Sequence, residues 1–208
     1  EQSDQLVFRE KHAGQLADLG LLVKAVAAQF LVVDDGRVQL IAQLGQIALE
    51  GRRPLLVEVQ ALVAATSSSA PRRATQGVDS ARIAMLLAVL ERRVGARLAD
   101  REVYVSTVGG VRITEPASDL AVALAVASAS WQQPLPPGTV AFGEVGLAGE
   151  IRNVVGVEKR LAEAARLGMR RAIVPAGTSA VSATTASGLV VVPANDVRDA
   201  LAAVRTAD

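Results

Sequence analysis

Two hydrophobic patterns alternate along this chain: short β-rich apolar runs, and longer segments with apolar residues at helical spacing. Residues 38–49 (VQLIAQLGQIAL) and 54–63 (PLLVEVQALV) read as strands, joined by Gly51-Arg52-Arg53 as a hairpin connection. Residues 65–77, ATSSSAPRRATQG, are small and serine-rich and predict a mobile loop. Asp79 or Ser80 then caps a helix reaching about Val94, with Ile83, Leu87, Leu90 and Val94 on its buried stripe and Arg82 and Arg93 flanking it. A strand over 102–108, a Gly109-Gly110 turn and a short strand over 111–113 follow. The helix expected over 116–130 starts on a proline, where no N–H is needed. Its DLAVALAVASA interior is apolar nearly all round, so it should pack between other elements. Strands at 140–144 and 150–152 bracket a glycine turn, and a helix from 157 stops at Gly168. Buried strands at 172–174 and 189–192 lead to a final helix through Val204, capped by Asn195. The sum is a mixed α/β chain. Upstream, Leu21, Leu22, Val26 and Phe30 predict a helix that packs on the core.

With 208 residues, half of them hydrophobic, the chain is long enough for one domain, or one domain and an appendage. Its apolar runs fall short of the roughly 18 residues of a membrane span, and its first residues are too polar for a signal peptide. A cytoplasmic, membrane-free setting is expected. There is no cysteine, which excludes disulfides, thiolate metal sites and a cysteine nucleophile, and the single His12 builds no histidine-rich metal centre. The net charge of +1 hides an asymmetry, −3 over residues 1–50 against +4 over 51–208. Between Arg72 and Arg101 stand seven arginines (Arg72, Arg73, Arg82, Arg92, Arg93, Arg97, Arg101) against three acids. Arginine forms bidentate contacts with phosphate, so this excess is either a polyanion-binding surface or a solvated face.

Several segments then carry a family likeness: LEGRRPLLVEVQALV, PRRATQGVDSARIAMLLAVLERR, VYVSTVGGVRITEPASDLAVALAVASAS, and GEVGLAGEIRNVVGVEKRLAEAARLGMRRAIVP. Together they lie between residues 49 and 175. They resemble the Lon-protease-like domain at the C-terminus of the bacterial RadA/Sms DNA-repair family. The resemblance implies an α/β (α+β) fold of the ribosomal protein S5 domain 2-like kind, with a mixed sheet and packed helices. It implies a Lon-like domain over 49–208 and a divergent linker over 1–48, where the family's Lys-Asn-Arg-Phe-Gly junction is absent and no functional residue is carried over. It further implies a hexameric ring acting with a RecA-like ATPase on single-stranded or branched DNA during recombination and repair, beside a RecA-type recombinase.

Lon-type enzymes use a serine in a Gly-Pro-Ser-Ala-Gly sequence and a lysine on a later helix. Anchoring on Pro116 puts Ala117 at the serine position, and Gly156, Leu161 and Gly168 put Arg160 at the lysine position. A methyl group attacks no carbonyl, and a guanidinium with a pKa above about 12 is no base. Ser118 and Lys159 are each displaced by one residue, or about 100° of helix. Ser118 is expected to bond local backbone and Lys159 to face solvent. No catalytic residue and no cofactor are therefore expected here. The chain has no GxxxxGK[ST] sequence, so it is expected to be no enzyme, with ATP, Mg and Zn confined to the rest of a longer parent.

Aromatic residues are only 2% of the chain, so DNA contact should run through phosphates rather than base stacking on Tyr104 or Trp131. Arg72 and Arg73 on the loop come first, then Arg82, Arg92 and Arg93, then Arg152, Lys159 and Arg160. Arg160 has Glu163 or Glu144 as an alternative ion-pair partner. Three readings result: a non-proteolytic DNA-binding, ring-forming module; an oligomerisation scaffold without DNA contact; or a Ser118/Lys159 peptidase.

Overall fold

The computed structural model describes residues 30–34, 37–50, 53–178 and 188–205. Its elements are β1 (Phe30–Asp34), β2 (Arg37–Glu50), β3 (Arg53–Ala65), β4 (Arg73–Gln76), α1 (Ser80–Val94), β5 (Arg101–Thr107), α2 (Asp119–Trp131), β6 (Thr139–Ala141), β7 (Glu144–Val145), β8 (Ile151–Arg152), α3 (Val157–Arg166), β9 (Arg171–Pro175), β10 (Val190–Ala194) and α4 (Val197–Arg205). The main sheet runs β10-β9-β6-β2-β3-β5-β4, with β1 also paired to β2, and β7 with β8 forms a separate small ladder. The β2–β3, β3–β5 and β1–β2 pairs are antiparallel, whereas β10–β9, β9–β6, β6–β2 and β5–β4 are parallel. This is the mixed α/β fold that the alternating patterns predict.

Strand alternation sorts the core onto two faces. Ala42, Leu44, Val57, Val59, Ala61, Val63, Ala141 and Ile173 pack with α1, α2 and α4 on one side. Ile47, Val140, Phe142, Ala172 and Val174 pack with Leu161 and Ala164 of α3 on the other. The helix expected to be enclosed is enclosed: every α2 residue from Asp119 to Ala129 is buried. Asp79 caps α1 by accepting the Arg82 N–H at 2.8 Å, as its sequence position predicts. Gly168, at φ +74, lies just past α3, and the Met169 N–H closes back on the Ala164 carbonyl at 2.9 Å.

Three expectations are corrected. Residues 73–76 are not loop but strand β4, because their backbone completes the open edge of β5 in parallel register, Arg73 beside Val103. Residues 111–113 are no strand; the Ile113 N–H donates to the Gly77 carbonyl at 2.7 Å and the Val111 carbonyl accepts from the Thr107 hydroxyl, but no ladder forms. The final helix is capped by Asp196, whose Oδ1 accepts from the N–H groups of Arg198 at 2.8 Å and Asp199 at 2.9 Å, while Asn195 donates to Asp199 instead. The upstream helix at Leu21, Leu22 and Val26 lies outside the described residues, and Phe30 opens β1. Gly51 and Arg52 also lie outside them, though Glu50 and Arg53 pair on either side as a hairpin requires. A boundary at residue 48 falls inside β2, a strand paired to β1, β3 and β6.

Candidate nucleic-acid interface

Six of the seven arginines of the 72–101 stretch, all but Arg82, gather at one end of the sheet. Gly95 ends α1 in the left-handed region at φ 71, and its N–H returns to the Leu90 carbonyl. That turn sends the chain through Arg97 and Leu98 to Arg101, the first residue of β5. Arg73, the first residue of β4, donates from Nη2 to the Leu98 carbonyl at 3.1 Å, and the Arg72 carbonyl accepts the Val103 N–H at 3.0 Å. The start of β4, the start of β5 and the last turn of α1 are thereby adjacent. Arg72, Arg73, Arg92, Arg93 and Arg97 are all exposed there. Of these six cations only Arg101 has an ion pair among the described residues, to Asp100 at 3.8 Å. Arg92 and Arg93 also face the negative end of the α1 dipole, which favours cations. Tyr104 borders the group: its phenol donates to Glu102 at 2.7 Å, which pushes its pKa up, while the nearby Arg72 pulls the other way.

Arg82 and Arg152 stand elsewhere and are already engaged. Arg82 forks onto Asp119, donating from Nε at 2.7 Å and from Nη2, and lies 3.8 Å from Glu144. Glu144 in turn pairs with Arg152 at 3.5 Å, and Arg152 with Glu150 at 2.5 Å. The chain of alternating charges starts from an Asp119 side chain only 1% exposed, which also accepts the Val145 N–H at 3.0 Å. Burial pushes the Asp119 carboxyl up, against the opposing pull of the Arg82 and Val145 hydrogen bonds. This network ties α1, α2 and the β7–β8 ladder together.

Arg160 is the clearest departure from expectation, because its side chain is 1% exposed and has no surface to offer a phosphate. Its partner is neither Glu163, which Arg166 holds at 2.7 Å, nor Glu144. Nη1 and Nη2 instead fork onto Glu115 at 2.9 and 2.6 Å, Nη1 also donates to the Ile47 carbonyl, and Nε donates to the Val155 carbonyl at 3.1 Å. The guanidinium carbon sits 5.9 Å from the Phe142 ring centroid. Glu115 further accepts the Leu49 N–H at 3.0 Å and the Gln46 amide at 3.3 Å. Sequence reasoning missed Glu115; its one signal was an acid directly before the Pro116 that starts a helix.

Ala117 is 2% exposed in the tight turn before α2. Ser118 beside it donates from Oγ to the Glu115 carbonyl at 3.0 Å, the local backbone role expected of it. Lys159 is exposed where Arg160 is buried, as the rotation between successive helix residues demands. Trp131 is half-buried with the Arg205 guanidinium 5.8 Å from its ring centroid, so it offers no free stacking face on that side. Among the described residues, no helix is long and apolar enough to cross a membrane.

Comparison with known proteins bears on both family and chemistry. Residues 86–178 match the family model described as subunit ChlI of Mg-chelatase. The chain is 48% identical over 159 residues to a protein of Mycolicibacterium smegmatis named DNA repair protein RadA, covering 76% of this chain and 33% of that one. Proteins of the same name from Escherichia coli and Mycobacterium tuberculosis are 53% identical over 130 residues and 54% over 129, covering 62% of this chain and 28% and 27% of theirs. The chain spans about a third or less of the length of these curated relatives. The expectation that the chain is no enzyme is corrected here. Nearly half of it aligns with the model of an enzyme subunit, and the RadA likeness over most of the chain points the same way.

Proposed function

We propose that this chain, a homologue of about a third of the DNA repair proteins named RadA, serves DNA repair as a non-proteolytic, ring-forming module that holds DNA by its phosphates. The observation that carries the reading is the convergence of Arg72, Arg73, Arg92, Arg93, Arg97 and Arg101 at one end of the sheet. Such a surface attracts any polyanion through counterion release and carries no base code. Single-stranded or branched DNA fits it, and so does a path shared with further copies of the chain and with a RecA-type recombinase.

A Lon-like ancestry for the fold is supported by the turn at Pro116 and the helix that follows Gly156. The positions of a Lon serine and lysine hold a buried methyl and a guanidinium locked onto Glu115, and neither supplies a nucleophile or a base for peptide hydrolysis.

The test is binding of single-stranded and duplex DNA across a salt series, beside an Arg72→Ala/Arg73→Ala variant. The expected affinity falls steeply with salt and varies little with sequence. The variant should lose about 0.7 to 0.9 from the salt slope for each phosphate contact removed. A folded wild-type chain that ignores DNA at low salt refutes the reading and leaves a scaffold. Its mass in solution separately tests for a ring.

A further inference from the structure

The N-terminal end of α4 adds a residue to the arginine end that the sequence pattern did not nominate. Arg198 donates from Nε to the Arg93 carbonyl at 2.5 Å, which places the two side chains at one concavity with a volume of about 170 Å³. Ala148, Gly149, Asp196 and Val197 complete its walls. Gly149 makes the approach possible. At φ +85, a Cβ there would lie 3.1 Å from Arg93 Cγ, so the arginine stem crosses bare backbone.

No carboxylate among the described residues pairs with either guanidinium at this site. Asp196 is the one acid in the wall, and its Oδ1 is spent on the amides of the first turn of α4. Two cations facing one recess repel each other until an anion enters, and the Arg93 guanidinium together with the Nη groups that Arg198 keeps offers donors to tetrahedral oxygens. The α4 amides are already capped, so the arginines, rather than the helix end, make the site.

We propose that Arg93 and Arg198 close together on one backbone phosphate of bound DNA, seated in the recess between α1, α4 and the β7–β8 turn. The proposal rests on the DNA-binding reading above and adds to it a built contact at Arg93 and Arg198.

The test measures DNA affinity against salt for Arg93→Ala, Arg198→Ala and the double variant, with the Arg72→Ala/Arg73→Ala variant alongside. Because both arginines serve a single phosphate, each single variant should lower the salt slope by about 0.7 to 0.9, and the double variant should lose little more. Unchanged slopes in the single variants, with the Arg72/Arg73 variant impaired, overturn this site and leave the wider reading standing. Losses that add to two contacts also overturn it. Arg93→Ala keeps the backbone carbonyl that Arg198 holds, so it reads the contact even where Arg198→Ala lowers stability.

A second arm titrates inorganic phosphate and follows the Gly149 and Val197 amide signals. If the wild type ignores DNA, the wider reading fails and this assignment with it. Phosphate-dependent shifts that vanish in Arg93→Ala would then assign the recess to a free phosphate and overturn the DNA backbone as its source.

Discussion

At Arg160 a single side chain holds together three segments distant in sequence: β2 through the Ile47 carbonyl, the turn before α2 through Glu115, and α3 through its own backbone. Four of its donated hydrogen bonds are satisfied, so its charge is tolerable in the interior only while those acceptors stay in place. Arg160→Ala should cost about 3 kcal/mol, the low end for a broken buried pair, because Glu115 remains 24% exposed and keeps some water. Lysine is a poor substitute, since its compact ammonium cannot fork onto the carboxylate. Arg160→Met with Glu115→Leu should cost about 2 kcal/mol, less than Arg160→Ala, because no charge is orphaned but the Leu49 N–H and the Ile47 and Val155 carbonyls lose their partners. Urea denaturation of the variants checks both. Arg82 gives a matching case. Arg82→Gln should cost about 1 to 3 kcal/mol by stranding Asp119, yet leave the salt slope of DNA binding unchanged, since its charge is already spent.

Among the elements, those whose signals are local were legible in the sequence. The helical stripes of α1 and α3, the Asp79 cap, the Gly168 stop and the all-apolar α2 each need only a few turns of chain to declare themselves. β4 did not declare itself because Arg-Ala-Thr-Gln has no apolar alternation; its strand state comes from pairing with β5, some 30 residues away. Residues 111–113 err the other way, since two β-branched positions tied to the sheet by one backbone bond, from Ile113 to Gly77, make no strand. The cap of α4 was misplaced by one residue because Asn195 and Asp196 are both good capping residues, and only the backbone course decides between them. The Asn195–Asp199 contact beside that cap yields a pH dependence. Hydrogen bonds from the Asn195 side chain and backbone hold the Asp199 carboxyl below its ordinary 3.8. Its contribution, roughly 0.5 kcal/mol at this exposed site, is complete above the ordinary value and disappears as pH falls through the lowered one. The stability gap between wild type and Asp199→Asn should therefore close in acid, as denaturant midpoints measured at pH 7 and below 3 would show.

For the whole molecule, the candidate surface was legible where neighbours in sequence remained neighbours in space. Arg72, Arg73, Arg92 and Arg93 stay together because α1 and β5 are consecutive and β4 joins them. Arg82, Arg160 and Arg198 were misjudged or missed because their partners lie 37, 45 and 105 residues away. Charge counting along a chain cannot tell a free cation from one already matched across the fold. The enclosure of α2 has a consequence for the order in which the chain is made. Its apolar surface has mean side chains of alanine and valine on every side, and Val197, Ala200, Leu201 and Val204 of α4 complete the cluster that covers it. A nascent chain therefore has an oily rod with no complete sheath until almost the last residues described here leave the ribosome. Loss of α4, by a premature stop or by proteolysis, would leave that rod open to chaperones and proteases even though every residue of α2 remained intact.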